Sequence, residues 1–248
     1  MIWKACDGQN HIKPISGTLH RLVESQEQVA TMGYVDDMHE QSLLETMLDE
    51  VKPPYPENPN GYHYLLTTPF RYPPLNHGSR FGRTNEPSLF YGGCSPDTTL
   101  AEAAYYRFVF ISTIADVTAL DRISTEHTMF SVDYYSNNGI QLHAPPFSQF
   151  DAELKHTENY AHAQDVGSAM RASGVDAFEY CSARDTSSGF CVALFNKSPF
   201  QSLEPKSKAA WLCITTLNQV SFKRVDSSAT FHYPVIDFQV DGRLPLPA

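Results

Sequence analysis

The chain has 248 residues and a formal net charge of −10, and 42% of its residues are hydrophobic and 19% charged. A chain of this length and composition buries a substantial core and is not disordered over most of its length. The negative charge excludes broad binding to nucleic acid or to an anionic membrane surface, because both need many Lys and Arg side chains, so we predict no direct contact with either.

The first third of the chain alternates between periodic segments and breaks. In residues 36–51, Asp36 or Asp37 can cap a helix whose apolar residues fall on one face. Four prolines predict a loop at 52–60, and residues 62–66 alternate as a short strand does. Residues 69–85 form a long connection rich in Arg, Pro and Gly, and long ordered connections of this kind are often functional.

A strand, a break and a helix follow. Residues 88–91 have strand composition, and Gly92-Gly93 is predicted to end the strand. Ser95-Pro96-Asp97 then starts a helix that runs to about Arg107, with proline at its first position.

The rest of the chain reads mainly as short strands. They are predicted at residues 117–120, 128–135, 177–180 and 191–195, and again from Trp211 onward. A helix at 162–172 is closed by Gly174, and residues 181–189 form a polar loop. These elements predict a mixed α/β (α+β) fold with short strands, without the regular βαβ repeat of a doubly wound sheet.

Several common reaction centres are absent from the sequence. It contains no GxxxxGK[ST], no GxGxxG after a strand and no GxSxG, and His39-Glu40 is not followed by the second histidine of a zinc protease. Five cysteines without CxxC spacing and ten histidines without ligand spacing predict no metal site. Because no run of about 18 apolar residues and no signal-peptide pattern occurs, we expect a soluble, cytoplasmic protein outside the membrane.

Basic residues gather in one place. Arg71, Arg80 and Arg83 lie within thirteen positions, with His77 between them. On a Gly/Pro-rich loop such a cluster could clamp a pyrophosphate, because guanidinium groups bind phosphate oxygens in pairs. A solvated loop held by salt bridges is the alternative interpretation.

Glu102 is the only charged residue between Asp97 and Arg107. A carboxylate in an apolar helix needs a partner or a task. Thr99 and Glu102 fit a capping box, which would place Glu102 at the third helical position. A helix that begins at Ser95-Pro96 would instead place Glu102 inside it, and local sequence leaves both interpretations open.

Two further residues are candidates on weaker grounds. Tyr91 ends a strand beside two glycines, where its ring could stack on a flat ligand or pack in the core. Ser182, within Tyr180-Cys-Ser-Ala-Arg184, is by itself an ordinary loop serine.

Arg80, Tyr91 and Glu102 are spaced eleven and eleven residues apart, a pattern that resembles the RES-domain family, named for its Arg, Glu and Ser. The similar segments are Gly78-Ser79-Arg80-Phe81, Leu89-Phe90-Tyr91, Leu100-Ala101-Glu102, Tyr180-Cys181-Ser182-Ala183-Arg184 with the strand Val192-Ala193-Leu194-Phe195, and His20-Arg21-Leu22-Val23. Phe81, Gly82 and Cys181 stand where the family usually has Trp, Asn and Pro, and none of these departures removes a reactive group.

The resemblance spans residues 19–205 and implies a single RES-type domain over 1–248, with a Pro-rich addition near 52–74 and a C-terminal extension at 206–248. It implies an ADP-ribosyltransferase-like fold with mostly antiparallel strands and peripheral helices. The implied activity is that of an NAD-degrading toxin, held by an Xre-type helix-turn-helix antitoxin protein. NAD is then the substrate and no cofactor or metal is expected, and a homo-oligomer is compatible with the resemblance.

The resemblance also implies roles. Glu102 would stabilise the oxocarbenium-like ribose or align the attacking group. Arg80 and Arg21 would hold phosphates or orient the carboxylate, and Tyr91 would pack on the nicotinamide or its ribose. Ser182 would hydrogen-bond the nicotinamide portion or the ribose hydroxyls. Arg83 or Arg71 near the site could favour phosphate as acceptor, but the sequence leaves the acceptor open. Water would make the protein a glycohydrolase, phosphate a phosphorylase and a macromolecule an ADP-ribosyltransferase. A non-catalytic module that binds NAD or ADP-ribose is the alternative outside enzymes.

Overall fold

The computed structural model describes residues 1–25, 36–50, 52–53, 61–114 and 122–246. The strands are β1 Lys13–Glu24, β2 Phe90–Gly93, β3 Ile123–Gln141, β4 Ala177–Cys181, β5 Phe190–Leu194, β6 Ser207–Thr215, β7 Gln219–Arg224 and β8 Thr230–Pro234. The helices are α1 Ile2–Ala5, α2 Met38–Glu50, α3 Tyr64–Thr67, α4 Pro96–Ser112, α5 Asp151–Leu154 and α6 Ala161–Ala172. With 30% helix, 32% strand and peripheral helices, the chain has the predicted mixed α/β fold.

The eight strands form one sheet in the order β1-β2-β5-β4-β3-β6-β7-β8, and β1 also pairs with β3. Strands β1, β2, β5, β4 and β3 therefore close into a ring, and β6 to β8 extend the sheet from β3. Among the described strands only β3 and β4 pair in parallel, so the strands are mostly antiparallel, as predicted.

Two strands are much longer than the sequence indicates. β1 has 12 residues and β3 has 19. β3 pairs with β1 along most of its length and with β6 on its other side, from Ile123 to Ser131. Because β3 belongs both to the ring and to the C-terminal strands, the extension at 206–248 contributes its strands to the same sheet.

The strand predicted at 62–66 is wrong. Tyr64–Thr67 is a single helical turn that continues as a 3-10 helix over Thr68–Phe70. The ring of His63 caps this turn by accepting a hydrogen bond from the Leu65 N–H (3.2 Å). Leu65 and Leu66 are consecutive and both buried, which a helical turn against the core allows and an alternating strand does not.

Gly92 and Gly93 belong to β2 rather than ending it, which corrects the predicted strand 88–91. A Cβ on Gly92 would lie 2.8 Å from the carbonyl oxygen of His20, and one on Gly93 would lie 2.5 Å from Thr99 Oγ1. The glycines therefore allow β2 to run close against β1 and the first turn of α4.

Helix α4 begins where predicted and ends later. Ser95 caps it by accepting a hydrogen bond from the Thr98 N–H (3.1 Å), and Pro96 is its first residue. It continues past Arg107 to Ser112, because Phe108 and Ile111 extend its buried face.

Helix α2 forms as predicted, with Asp37 Oδ1 accepting from the Glu40 N–H (2.9 Å). Its predicted apolar face is not a core face throughout, because Leu43 and Met47 are more than half exposed. Helix α6 confirms the helix at 162–172, and β4 and β5 confirm the strands around residues 177–180 and 191–195. The predicted strand 117–120 and most of the predicted loop 52–60 lie outside the described residues.

His127 on β3 is buried between the ring and the C-terminal strands. Burial, with Arg107 nearby, lowers the pKa of His127 to about 4. Because the unfolded chain takes up this proton near pH 6.5 and the folded chain does not, stability is present above that pH and is lost as the pH falls toward 4.

We therefore expect the free energy of unfolding to fall by about 2 kcal/mol between pH 7 and pH 5 through His127 alone. Denaturant unfolding at both pH values measures this for the wild type and for His127→Gln. The fall should be smaller in the variant by about that amount, and equal falls would contradict the assignment.

Candidate active site

A cavity of about 320 Å³ lies between β1, β2, the middle of α4 and the connection that precedes β2. Its charged lining residues are three arginines and one glutamate: Arg21, Arg80, Arg184 and Glu102. In a chain with a net charge of −10, this is a local concentration of positive charge around a single carboxylate. Such a lining suits an anionic ligand.

The helix start at Pro96 makes Glu102 the seventh helical residue, so the capping-box interpretation is wrong. Ser95 supplies the cap instead, and Glu102 projects from the interior of α4. Its Oε1 accepts a hydrogen bond from Ser182 Oγ (2.5 Å) and a longer one from Cys191 Sγ (3.9 Å). Within the described residues Oε2 accepts no hydrogen bond, which leaves it for a ligand in the cavity.

Ser182 is buried beside the cavity, and only 1% of it is exposed. Its Oγ accepts hydrogen bonds from the backbone N–H groups of Arg184 (3.1 Å) and Asp185 (3.0 Å). The one hydroxyl hydrogen is therefore directed to Glu102. The hydroxyl hydrogen thus holds the carboxylate, and the predicted contact between Ser182 and substrate stays a prediction.

Tyr91 joins β2 to the connection that carries Arg80. Its hydroxyl accepts a hydrogen bond from the Phe81 N–H (3.2 Å) and shares another with Ser79 Oγ (2.9 Å). Burial raises the pKa of Tyr91 to about 12, so the phenol is neutral. Its ring meets Tyr180 edge-on, with centroids 6.4 Å apart, and forms a fixed wall of the cavity.

Arg21 spans the gap between β1 and β2. Its Nη1 donates a hydrogen bond to the carbonyl oxygen of Tyr91 (2.6 Å), and its guanidinium lies 5.0 Å from the Phe90 ring centroid. Burial lowers the pKa of Arg21 to about 10, which keeps it cationic at neutral pH. Its Nε is buried and has no hydrogen-bond partner in the part of the chain that the structure describes.

Arg80 is held by the segment that precedes α6. Its Nη1 donates to the carbonyl oxygens of Leu154 (3.1 Å) and His156 (2.8 Å), and its guanidinium lies 4.6 Å from the Tyr160 ring centroid. A guanidinium has more N–H donors than these two carbonyls accept. Arg80 is thus oriented by backbone while it lines the cavity.

Arg184 and Tyr106 also line the cavity and were not predicted as site residues. Arg184 lies 3.5 Å from the Tyr105 ring centroid and donates to the Thr157 carbonyl (2.8 Å). Its place at the end of the Tyr-Cys-Ser-Ala-Arg segment was the available signal. Tyr106 lies one turn after Glu102 on α4 and is 52% exposed, so helical spacing from Glu102 could have identified it.

Arg83 and Arg71 are not brought to Glu102. Arg83 forms an ion pair with Asp165 and donates to Ser168 Oγ (3.1 Å), at the edge of a neighbouring cavity. Arg71 donates to the carbonyl oxygen of Pro53 and lines neither that cavity nor the one around Glu102. The basic cluster of the sequence is therefore divided, with only Arg80 beside the carboxylate.

The described residues show no sign of two other kinds of site, a metal centre and a membrane-spanning helix. No group of three or more His, Cys, Asp or Glu side chains there is arranged to hold a metal ion. No helix in the same ranges combines the length and the apolar character needed to cross a membrane.

The chain matches a known protein family. The family model described as the RES domain matches residues 57–215. This range contains Arg80, Tyr91, Glu102 and Ser182, and it begins after Arg21. No curated protein matches the chain.

Proposed function

Because the chain belongs to the RES-domain family, which is associated with NAD-utilising enzymes, we propose that it cleaves the nicotinamide–ribose bond of NAD. The observation that carries the proposal is Glu102, a carboxylate fixed by Ser182 in a cavity whose other charged side chains are arginines. The negative carboxylate would face the positive charge that develops on the ribose, and the arginines would face the negative phosphates of NAD. The charges of the cavity thus complement those of the substrate.

The bond between nicotinamide and the anomeric carbon breaks with its electron pair going to the pyridinium nitrogen. Nicotinamide leaves as a neutral molecule, and the positive charge moves to the ribose ring as an oxocarbenium-like state. Glu102 Oε2 would lie beside that charge and stabilise it. Because the leaving group is already good, no strong general acid is required.

The arginines would position the substrate rather than react with it. Guanidinium groups bind phosphate oxygens through paired hydrogen bonds, and the side chains of Arg21 and Arg80 are both fixed by backbone carbonyls. A pyrophosphate held by rigid groups brings the nicotinamide ribose to one place relative to Glu102. Tyr91 and Tyr106 would form the walls around the nicotinamide ribose.

The acceptor determines the class of product. Attack by water, with loss of its proton, gives ADP-ribose, and attack by inorganic phosphate gives ADP-ribose carrying an added phosphate. Transfer to a macromolecule is the second candidate in the same chemistry. As the RES domain suggests a toxin-like activity, we propose further that cleavage depletes cytoplasmic NAD and that an Xre-type antitoxin protein restrains it.

Incubation of the purified protein with NAD tests the proposal, with nicotinamide release followed by chromatography. Parallel reactions in buffer alone, with inorganic phosphate and with cell lysate plus labelled NAD separate the three acceptors by their products. Absence of nicotinamide release in all three would contradict the proposal. Thermal stabilisation by NAD without release would instead identify a binding module.

Ser182→Ala should lower kcat for NAD cleavage about tenfold with little change in KM. The variant loses the hydrogen bond that fixes the position of the Glu102 carboxylate, but we expect it to lose no contact with the substrate. It should also reduce the free energy of unfolding by about 1 to 3 kcal/mol, since one buried and one partly buried N–H group lose their acceptor. Steady-state kinetics and denaturant unfolding measure both. A rise in KM at constant kcat would show that Ser182 contacts the substrate after all.

A further inference from the structure

A second cavity, of about 420 Å³, adjoins the first. The two share Arg21, Leu75, Ser79 and Tyr91 in their walls, so they lie side by side, and we call them together the groove. Arg21 lies at the boundary, where its buried Nε has no hydrogen-bond partner in the described part of the chain. A ligand that extends from one half to the other must therefore pass a fixed positive charge.

The wall of the second cavity is mainly aromatic, prolyl and aliphatic. It includes Tyr72, whose ring is partly exposed, with Pro69, Pro73 and Leu89. Ser88 Oγ donates to the Tyr72 carbonyl oxygen (2.8 Å), which fixes this part of the wall. A flat apolar group with a π-face fits such a wall.

Two charged residues that line the second cavity, Glu24 and Arg83, form ion pairs within the protein. Glu24 pairs with Arg107 (3.2 Å), and Arg83 pairs with Asp165. The carboxylate available for bond cleavage, Glu102, lines only the first cavity. The reacting end of a dinucleotide therefore belongs in the first cavity, and its unreactive base belongs in the second.

We propose that the second cavity binds the adenosine half of the substrate, with the pyrophosphate beside Arg21 and the base against Tyr72. This inference rests on the proposed NAD cleavage, because that reaction decides which half of the dinucleotide lies in which cavity. It makes the protein selective for a dinucleotide over the mononucleotide that carries nicotinamide alone. Tyr72 is then a specificity-determining residue that lies outside the reacting centre.

Binding of AMP, measured by calorimetry on the full chain, tests the assignment without turnover. The wild type should bind AMP, and Tyr72→Ala should weaken binding about tenfold, as expected for the loss of one base–aromatic stack. Tyr135→Ala is the matched control, because this partly exposed tyrosine on β3 lines neither half of the groove. Glu102→Gln should leave AMP affinity unchanged, since AMP does not need the first cavity.

Kinetics with NAD and nicotinamide mononucleotide give a second readout. Tyr72→Ala should raise KM for NAD about tenfold and change KM for the mononucleotide less than about twofold. AMP binding that depends on Glu102 and not on Tyr72, absence of AMP binding to the folded wild type, or equal KM changes for both substrates would overturn the inference. Tyr72-dependent AMP binding without any release of nicotinamide would overturn the proposed function alone.

Discussion

Replacing Glu102 by Gln is expected to lower kcat for NAD cleavage at least about 100-fold while the protein stays folded. The amide has nearly the same size and can still accept the hydrogen bond from Ser182 Oγ, so the local structure is retained. What is lost is the negative charge beside the ribose. An oxocarbenium-like state depends on that charge far more than the ground state does, so kcat falls more than KM changes.

Glu126→Gln is the matched control, because Glu126 is exposed on β3 and does not line the cavity around Glu102. It should retain wild-type kcat. Circular dichroism and denaturant unfolding establish that both variants are folded. Near-wild-type kcat in Glu102→Gln would show that the carboxylate does not act on the reacting bond, even if NAD is cleaved.

The second large effect is expected at Gly167 in α6. A Cβ at this position would overlap the carbonyl oxygen of Phe81, which is backbone and cannot rotate away. Phe81 is itself fixed, since its buried ring meets Phe178 and Tyr180 edge-on with centroids 4.9 Å from each. We therefore expect Gly167→Ala to reduce the free energy of unfolding by about 3 kcal/mol, although alanine favours helix.

The same change should impair catalysis, because Ser79 and Phe81 hold the Tyr91 hydroxyl and Arg80 lies between them in the chain. A fall in kcat/KM of more than about tenfold is expected even under conditions where the variant is folded. His162→Ala, on an exposed position of the same helix, is the control and should change neither quantity appreciably. Wild-type stability of Gly167→Ala would contradict the close packing of α6 on Phe81.

The three candidate residues whose spacing drew attention to the site, Arg80, Tyr91 and Glu102, lie on segments that follow one another directly in the chain. Only a short turn, which ends at the N-cap residue Ser95, separates β2 with Tyr91 from α4 with Glu102, so their spacing in the chain carries over to the structure. Arg80 joins them because Phe81, next to it, is buried in the core. A resemblance based on spacing could therefore identify all three.

The site contacts that the sequence does not reveal are those between distant segments. Arg83 was grouped with Arg80, but the chain turns between them and Arg83 meets Asp165 on α6. The role of Ser182 depends on which partner takes its single hydrogen, which no local pattern reveals. Arg184 lines the cavity only because its loop folds back over Tyr105.

The fold shows the same division. Helices with their own caps, such as α2 and α4, were predicted because their signals are local. The strand predicted at 62–66 failed because a short apolar run is compatible with a helical turn or a strand, and only the packing against the core shows that Leu65 and Leu66 are both buried. The great length of β1 and β3 follows from their pairing with each other, across more than a hundred intervening residues.

The ring of strands has one weak seam, and the seam is at the site. β1 and β3 pair along most of β1, whereas β1 and β2 pair at a single position, His20 with Gly93. Next to this position the two strands are joined by a side chain instead of backbone hydrogen bonds, because Arg21 on β1 donates to the carbonyl oxygen of Tyr91 on β2. Separating these two edges costs fewer backbone hydrogen bonds than opening the ring elsewhere, so we expect local opening of the ring to occur first between β1 and β2, beside the cavity around Glu102.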